Sequence, residues 1–124
     1  MDKGQALHAF WSSFGLKAYD DASVPTGDNA PQFPYITYRA VQDVMDNQVM
    51  MQASIWYRST SWEGVETKTK QISQAISDMM PIKIDNGYLW IMRGTPYAQR
   101  LADESDDMIK RMYINIVAEY LTAY

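Results

Sequence analysis

Apolar positions recur at two different periods along the chain, and the periods alternate in blocks. Leu7, Phe10, Trp11 and Phe14 fall at i, i+3, i+4 and i+7, so residues 4–15 predict a short helix carrying one aromatic stripe, with Gly15 placed to stop it. From Leu16 to Pro34 periodicity disappears. Pro25, Gly27, Asp28, Asn29, Pro31 and Pro34 predict a long irregular connection, which Tyr19, Val24 and Phe33 could anchor. Period two then takes over, and Tyr35–Met45 and Val49–Ser59 predict two strands joined at Asp46-Asn47. With that turn, Ile36, Tyr38, Ala40 and Val44 share a core face with Val49, Met51, Ala53, Ile55 and Tyr57. Thr37, Arg39, Val41, Asp43, Met50, Gln52, Ser54, Trp56 and Arg58 occupy the other face.

The second half repeats the pattern. Ser61 is the expected N-cap of a helix running to about Met79, in which Val65, Thr69, Ile72, Ile76 and Met79 form the buried stripe while Lys68, Lys70, Gln71 and Gln74 face water. Ile82–Asp85 and Tyr88–Arg93 flank Asn86-Gly87, a hairpin signal that would pair Ile84 with Leu89 and Ile82 with Ile91. Residues 94–107 read as a polar segment, and Met108–Leu121 as a long last strand alternating Met112, Ile114, Ile116, Ala118 and Tyr120 against Arg111, Tyr113, Asn115, Val117 and Glu119. The expected fold is a single α+β domain over 1–124. It is a two-layer sandwich with a mixed or antiparallel sheet of about five strands and two helices on one face. The expected core is Leu7, Phe10, Trp11, Phe14, Ile36, Tyr38, Ile55, Ile72, Ile76, Ile84, Ile91, Ile114 and Ile116.

Composition narrows the function classes. A chain of 124 residues has room for one core, and it holds no Cys, which removes disulfides, thiolate metal sites and Cys nucleophiles. The formal charge of -4 opposes phosphate-backbone binding, so no nucleic-acid partner is expected. No apolar run approaches the roughly 20 residues that span a bilayer, and the opening Met-Asp-Lys-Gly-Gln lacks an export pattern, so no membrane association is expected either. Aromatics reach 13%, more than a small core needs, and Tyr and Trp are over-represented between subunits.

Candidate chemistry is sparse. His8 is the only histidine, and it lies off the aromatic stripe, where it reads as an ordinary partly exposed side chain. Asp103, Glu104, Asp106 and Asp107 offer oxygen donors but lack the glycine and terminal glutamate of a calcium loop. They read as a solvated turn or as a contact for a basic patch on another subunit. There is no glycine-rich phosphate motif. Arg39, Arg58, Arg93 and Arg111 fall in strands and would form a basic strip if they gathered on the outer face. No catalytic group, cofactor or metal is expected.

Several local strings resemble those of the tail-terminator (tail-to-head joining) proteins of long-tailed bacteriophages and prophages. They are Val24-Pro25, Pro34-Tyr35-Ile36-Thr37-Tyr38, Ile55-Trp56-Tyr57-Arg58 and Lys110-Arg111-Met112-Tyr113-Ile114-Asn115-Ile116, in the same order of elements and over nearly the whole chain. The resemblance implies a non-enzymatic virion protein at the head-proximal end of the tail, present in the host cytoplasm during assembly. It would form a ring, typically a hexamer, that ends tube polymerisation. Its partners would be itself, the major tail tube protein and a head-completion or neck protein. Contacts are then expected from the outer sheet face, through Arg39, Trp56, Arg58 and Trp90, and from the two polar segments, through Tyr19, Val24, Asp103, Glu104 and Asp107. Two alternatives stay open: another head–tail connector or tail-completion component, and a small ligand-binding α+β domain or enzyme.

Overall fold

In a computed structural model, residues 2–39 and 48–122 are described. The proposed turn at Asp46-Asn47, and the strand positions Ala40 to Met45 before it, lie outside the described residues. The elements run α1 (Lys3–Ser12), β1 (Lys17–Asp20), a 3-10 turn (Gly27–Asn29), β2 (Tyr35–Tyr38), β3 (Gln48–Arg58), α2 (Glu63–Asp78), β4 (Ile82–Ile84), β5 (Gly87–Ala102) and β6 (Ile109–Thr122). The fold is α+β: two helices and a six-stranded mixed sheet in the order β1-β2-β3-β6-β5-β4.

Capping and stripes explain the helices. Asp2 caps α1 in a reciprocal box, its carboxylate accepting from Gln5 N while the Gln5 side chain accepts from Asp2 N. Gly15, at φ +80, ends the segment in the left-handed region. Helix α2 begins two residues after Ser61, whose Oγ accepts from Glu63 N at 3.0 Å, so Trp62 holds the N-cap position and Ser61 caps from one step further out. Lys68, expected in water, is half-buried because its Nζ donates to Phe14 O at 2.8 Å, tying α2 to the end of α1. All thirteen expected core residues are buried, and both helices contribute to one cluster with the even-numbered positions of β6. Helix α1 touches both edge strands, β1 and β4, so the sheet curls around it.

The irregular connection contains a strand that periodicity could not reveal. β1 runs parallel to β2, pairing Lys17 with Tyr35 and Asp20 with Tyr38, and only its Ala18 is buried. Four residues with one inward side chain carry no readable alternation, so the sheet has one strand more than expected. The β4–β5 hairpin is also set differently: Ile82 pairs with Leu89 and Ile84 with Gly87, and Asn86 takes the left-handed conformation at φ 64. Asn tolerates that region, so the turn is complete before Gly87. The shift is by two residues, which leaves every side chain on its expected face.

The polar segment at 94–107 is mostly strand. β5 continues to Ala102, with Ala98 to Ala102 paired against Ile114 to Lys110. Its alternation is hidden by an excursion at 94–97, where four residues lie opposite Asn115 alone. Asn115 Nδ2 donates to Pro96 O at 3.0 Å and Tyr97 Oη donates to Thr69 O of α2 at 3.0 Å, so the excursion is pinned to both β6 and α2. Beyond Leu89, β5 pairs with no other described strand on its side away from β6.

Candidate functional site

The sheet face away from the core divides into two zones, both set by cross-strand register. Tyr35 of β2 lies opposite Trp56 of β3, and Trp56 opposite Arg111 of β6. Thr37 lies opposite Ser54, and Ser54 opposite Tyr113. These rows wall a groove of about 320 Å³ that also takes in Asp21, Val24, Arg39 and Gln52. Tyr35 and Trp56 stack with centroids 6.0 Å apart and planes at 12°, and the Arg111 guanidinium lies 4.6 Å from the Trp56 ring and 5.6 Å from the Tyr113 ring. Trp56 Nε1 donates to Thr37 Oγ1 at 2.9 Å and Arg111 Nε to Ser54 Oγ at 2.9 Å, so the polar edges of the stack are also fixed.

Electrostatics in the groove is dominated by Arg111. No described carboxylate lies within ion-pair distance of it, whereas Arg39 sits 3.6 Å from Asp21 at the rim. Burial raises the Tyr35 hydroxyl above its ordinary pKa, against the opposing pull of Arg111 and with a small push from Tyr19. Tyr35 therefore stays a neutral hydroxyl beside the cation.

The second zone is apolar. Met50 pairs with Val117 and Val117 with Met92; Trp90 pairs with Glu119, and Tyr88 with Leu121. Met50 (49%), Tyr88 (48%), Trp90 (42%) and Leu121 (42%) are four of the five exposed large apolar side chains among the described residues. Gln52 and Asn115, a cross-strand pair, separate the two zones.

Of the residues expected at the site, Val24, Arg39 and Trp56 meet in the groove. Tyr19 stands next to it, edge-on to Tyr35 at 6.2 Å. Trp90 belongs to the apolar zone instead. Arg58 ends β3 and pairs with Asp106 in the turn between β5 and β6, which also carries Asp103, Glu104 and Asp107. Arg93, a candidate for the basic strip, lies on the helix side, where its Nη1 donates to Ser73 Oγ at 2.9 Å. Of the four arginines expected in strands only Arg39, which falls one residue past the end of β2, and Arg111 line the groove. Tyr35, Ser54 and Tyr113 were not expected as site residues and Arg111 only as one of four candidates for a basic strip; the signal that marks them is register, since each lies on a row through Trp56 or its neighbour Ser54.

The acidic turn is held by its own side chains. Asp103 Oδ1 accepts from Ser105 N at 2.8 Å, Ser105 Oγ at 2.7 Å and Asp106 N at 3.1 Å, and these bonds hold its carboxyl below the usual aspartate range. Asp106 accepts from Met108 N at 2.9 Å and pairs with Arg58, with the same effect. Among the described residues no group of three or more His, Cys, Asp or Glu is placed to hold a metal ion. His8 lies 3.1 Å from Tyr38 Oη through Nδ1 and 3.3 Å from Ser12 Oγ through Nε2, on the exposed side of α1. No described helix is long and apolar enough to cross a membrane. No family model matches the chain, and the search of curated proteins finds no match.

Proposed function

We propose that the chain is a structural subunit, without enzymatic activity, that closes into a ring through the outer face of its sheet. In this reading the two helices form one layer and the sheet the other, a two-layer sandwich whose second face is left for a neighbour. One observation carries it: Met50, Tyr88, Trp90 and Leu121 are exposed together on that face. Scattered apolar side chains are ordinary on a surface, whereas a contiguous set on an ordered sheet marks a contact. The neighbouring groove adds Trp, Tyr and Arg, the residue types enriched where subunits meet.

Taken with the resemblance of its strings to tail terminators, the ring would stand at the head-proximal end of a phage tail. There it would end polymerisation of the tube protein and present its other side to the neck, with six copies as the number the resemblance implies. Light scattering after size-exclusion chromatography, over a range of concentrations and with or without the tail tube protein, tests the reading. A ring-sized species supports it, and a chain that stays monomeric in both conditions overturns it. Deleting the gene should leave overlong tails, which separates termination from another connector role.

A further inference from the structure

We infer that the groove on the outer sheet face receives the acidic turn, residues 103–107, of a second copy of this chain. The inference rests on the ring reading above and adds which segment enters which site.

The groove is a preformed receptor for a carboxylate. Trp56 lies beneath the Arg111 guanidinium and Ser54 accepts from its Nε, so the side chain is immobilised before any partner arrives. A guanidinium has five donors, and this one uses a single donor among the described residues. No described carboxylate neutralises it. Arg39, on the opposite wall, is 63% exposed and among the described residues its side chain has only the long contact to Asp21, an arrangement that contributes little and is readily exchanged.

The turn is a preformed carboxylate donor. Asp103 and Asp106 spend their oxygens on the turn's own amides, on Ser105 Oγ and on Arg58. The Glu104 and Asp107 carboxylates take no part in this: both residues are exposed, Lys110 Nζ donates to the Asp107 backbone carbonyl, and neither carboxylate has a partner among the described residues. Because Arg58 ties Asp106 to its own end of the sheet, the two spare carboxylates do not come within ion-pair distance of Arg111 in the same chain. A second copy meets no such restriction. Groove and turn are unlike patches, so their contact is of the head-to-tail kind that closes a ring by rotation. At about 320 Å³ the groove admits side-chain tips, which suits a turn rather than a packed element. The turn and the Arg111 side chain are already held, so the freedom lost on contact is that of the Glu104, Asp107 and Arg39 side chains.

A charge-swap series tests this. Light scattering would compare the unaltered chain with Arg111→Glu, Arg39→Glu, the pair Glu104→Arg/Asp107→Arg, and the triple Arg111→Glu/Glu104→Arg/Asp107→Arg, with thermal unfolding run on each. Each one-sided change should raise the concentration needed for assembly by at least about tenfold, and the triple variant should recover most of that loss. Arg39→Glu, at an exposed position, covers the case in which Arg111→Glu fails to fold. Normal assembly of the folded one-sided variants, or a triple variant no better than they are, overturns the docking mode while leaving the ring reading intact. An unaltered chain that stays monomeric even beside tube protein overturns both.

Discussion

The guanidinium carbon of Arg111 lies 4.6 Å from the centre of the Trp56 ring, directly across the β3–β6 ladder, and Tyr35 stacks on the same indole at 6.0 Å from the next strand. Three strands are thereby joined on the face that carries no core. Replacing Arg111 by Ala removes the stacked cation and leaves the buried Ser54 hydroxyl without its donor. The expected cost is about 1–3 kcal/mol, read as a lower midpoint in urea unfolding. Arg111→Lys should lose much of the same amount, because a lysine has one nitrogen and no planar fork with which to lie on the indole and bond Ser54 at once.

Gly94 is sterically required. A Cβ there would stand 2.9 Å from Asn115 Cβ and 3.0 Å from the Asn115 backbone carbon and oxygen. Backbone cannot swing aside as a side chain can, so Gly94→Ala should destabilise by about 1–3 kcal/mol. Calorimetric melting of the variant checks this, and an unchanged midpoint would contradict the tight pairing at the start of the excursion.

Trp90→Ser and Met50→Ser separate association from stability. Both side chains are more than two-fifths exposed, at 42% and 49%, so chemical unfolding should move by no more than about 0.5 kcal/mol. Assembly should weaken in both. Paired unfolding and light-scattering measurements on the same samples decide the matter.

Alkaline pH should loosen the fold through its buried tyrosines. Burial pushes the Tyr120 hydroxyl up to about 12, and it raises Tyr97 as well. An unfolded tyrosine releases its proton near pH 10, so between pH 10 and 12 the unfolded chain binds fewer protons than the folded one. The tyrosine contribution to stability should therefore be constant well below pH 10 and be lost as pH rises towards 12. Tyr120→Phe should flatten part of that fall in urea midpoints recorded across the range.

The helices and the inward face were legible because their signal is redundant. Leu7, Phe10, Trp11 and Phe14 state a period four times, and the alternation from Met112 to Tyr120 states it five times. β1 was not legible because one buried residue, Ala18, defines no period. The far half of β5 was hidden by the excursion at 94–97, which breaks the alternation, and by Gln99 and Arg100, polar on both faces where the sheet is open to water. At the site, Trp56, Arg39 and Val24 stood out by residue type. Arg111, the central cation, did not, since only its register opposite Trp56 distinguishes it from the three other arginines expected in strands.

The excursion at 94–97 also interrupts the side of β5 that faces away from β6. A straight rim from Trp90 to Ala102 would be a template long enough to nucleate cross-β fibres, each molecule extending the hydrogen-bond ladder of the last. Four residues displaced against Asn115 cut that rim into two short pieces set out of line, and Pro96 withholds one amide donor between them. Removing those four residues would lengthen a regular strand and leave one long uninterrupted edge for other copies to extend.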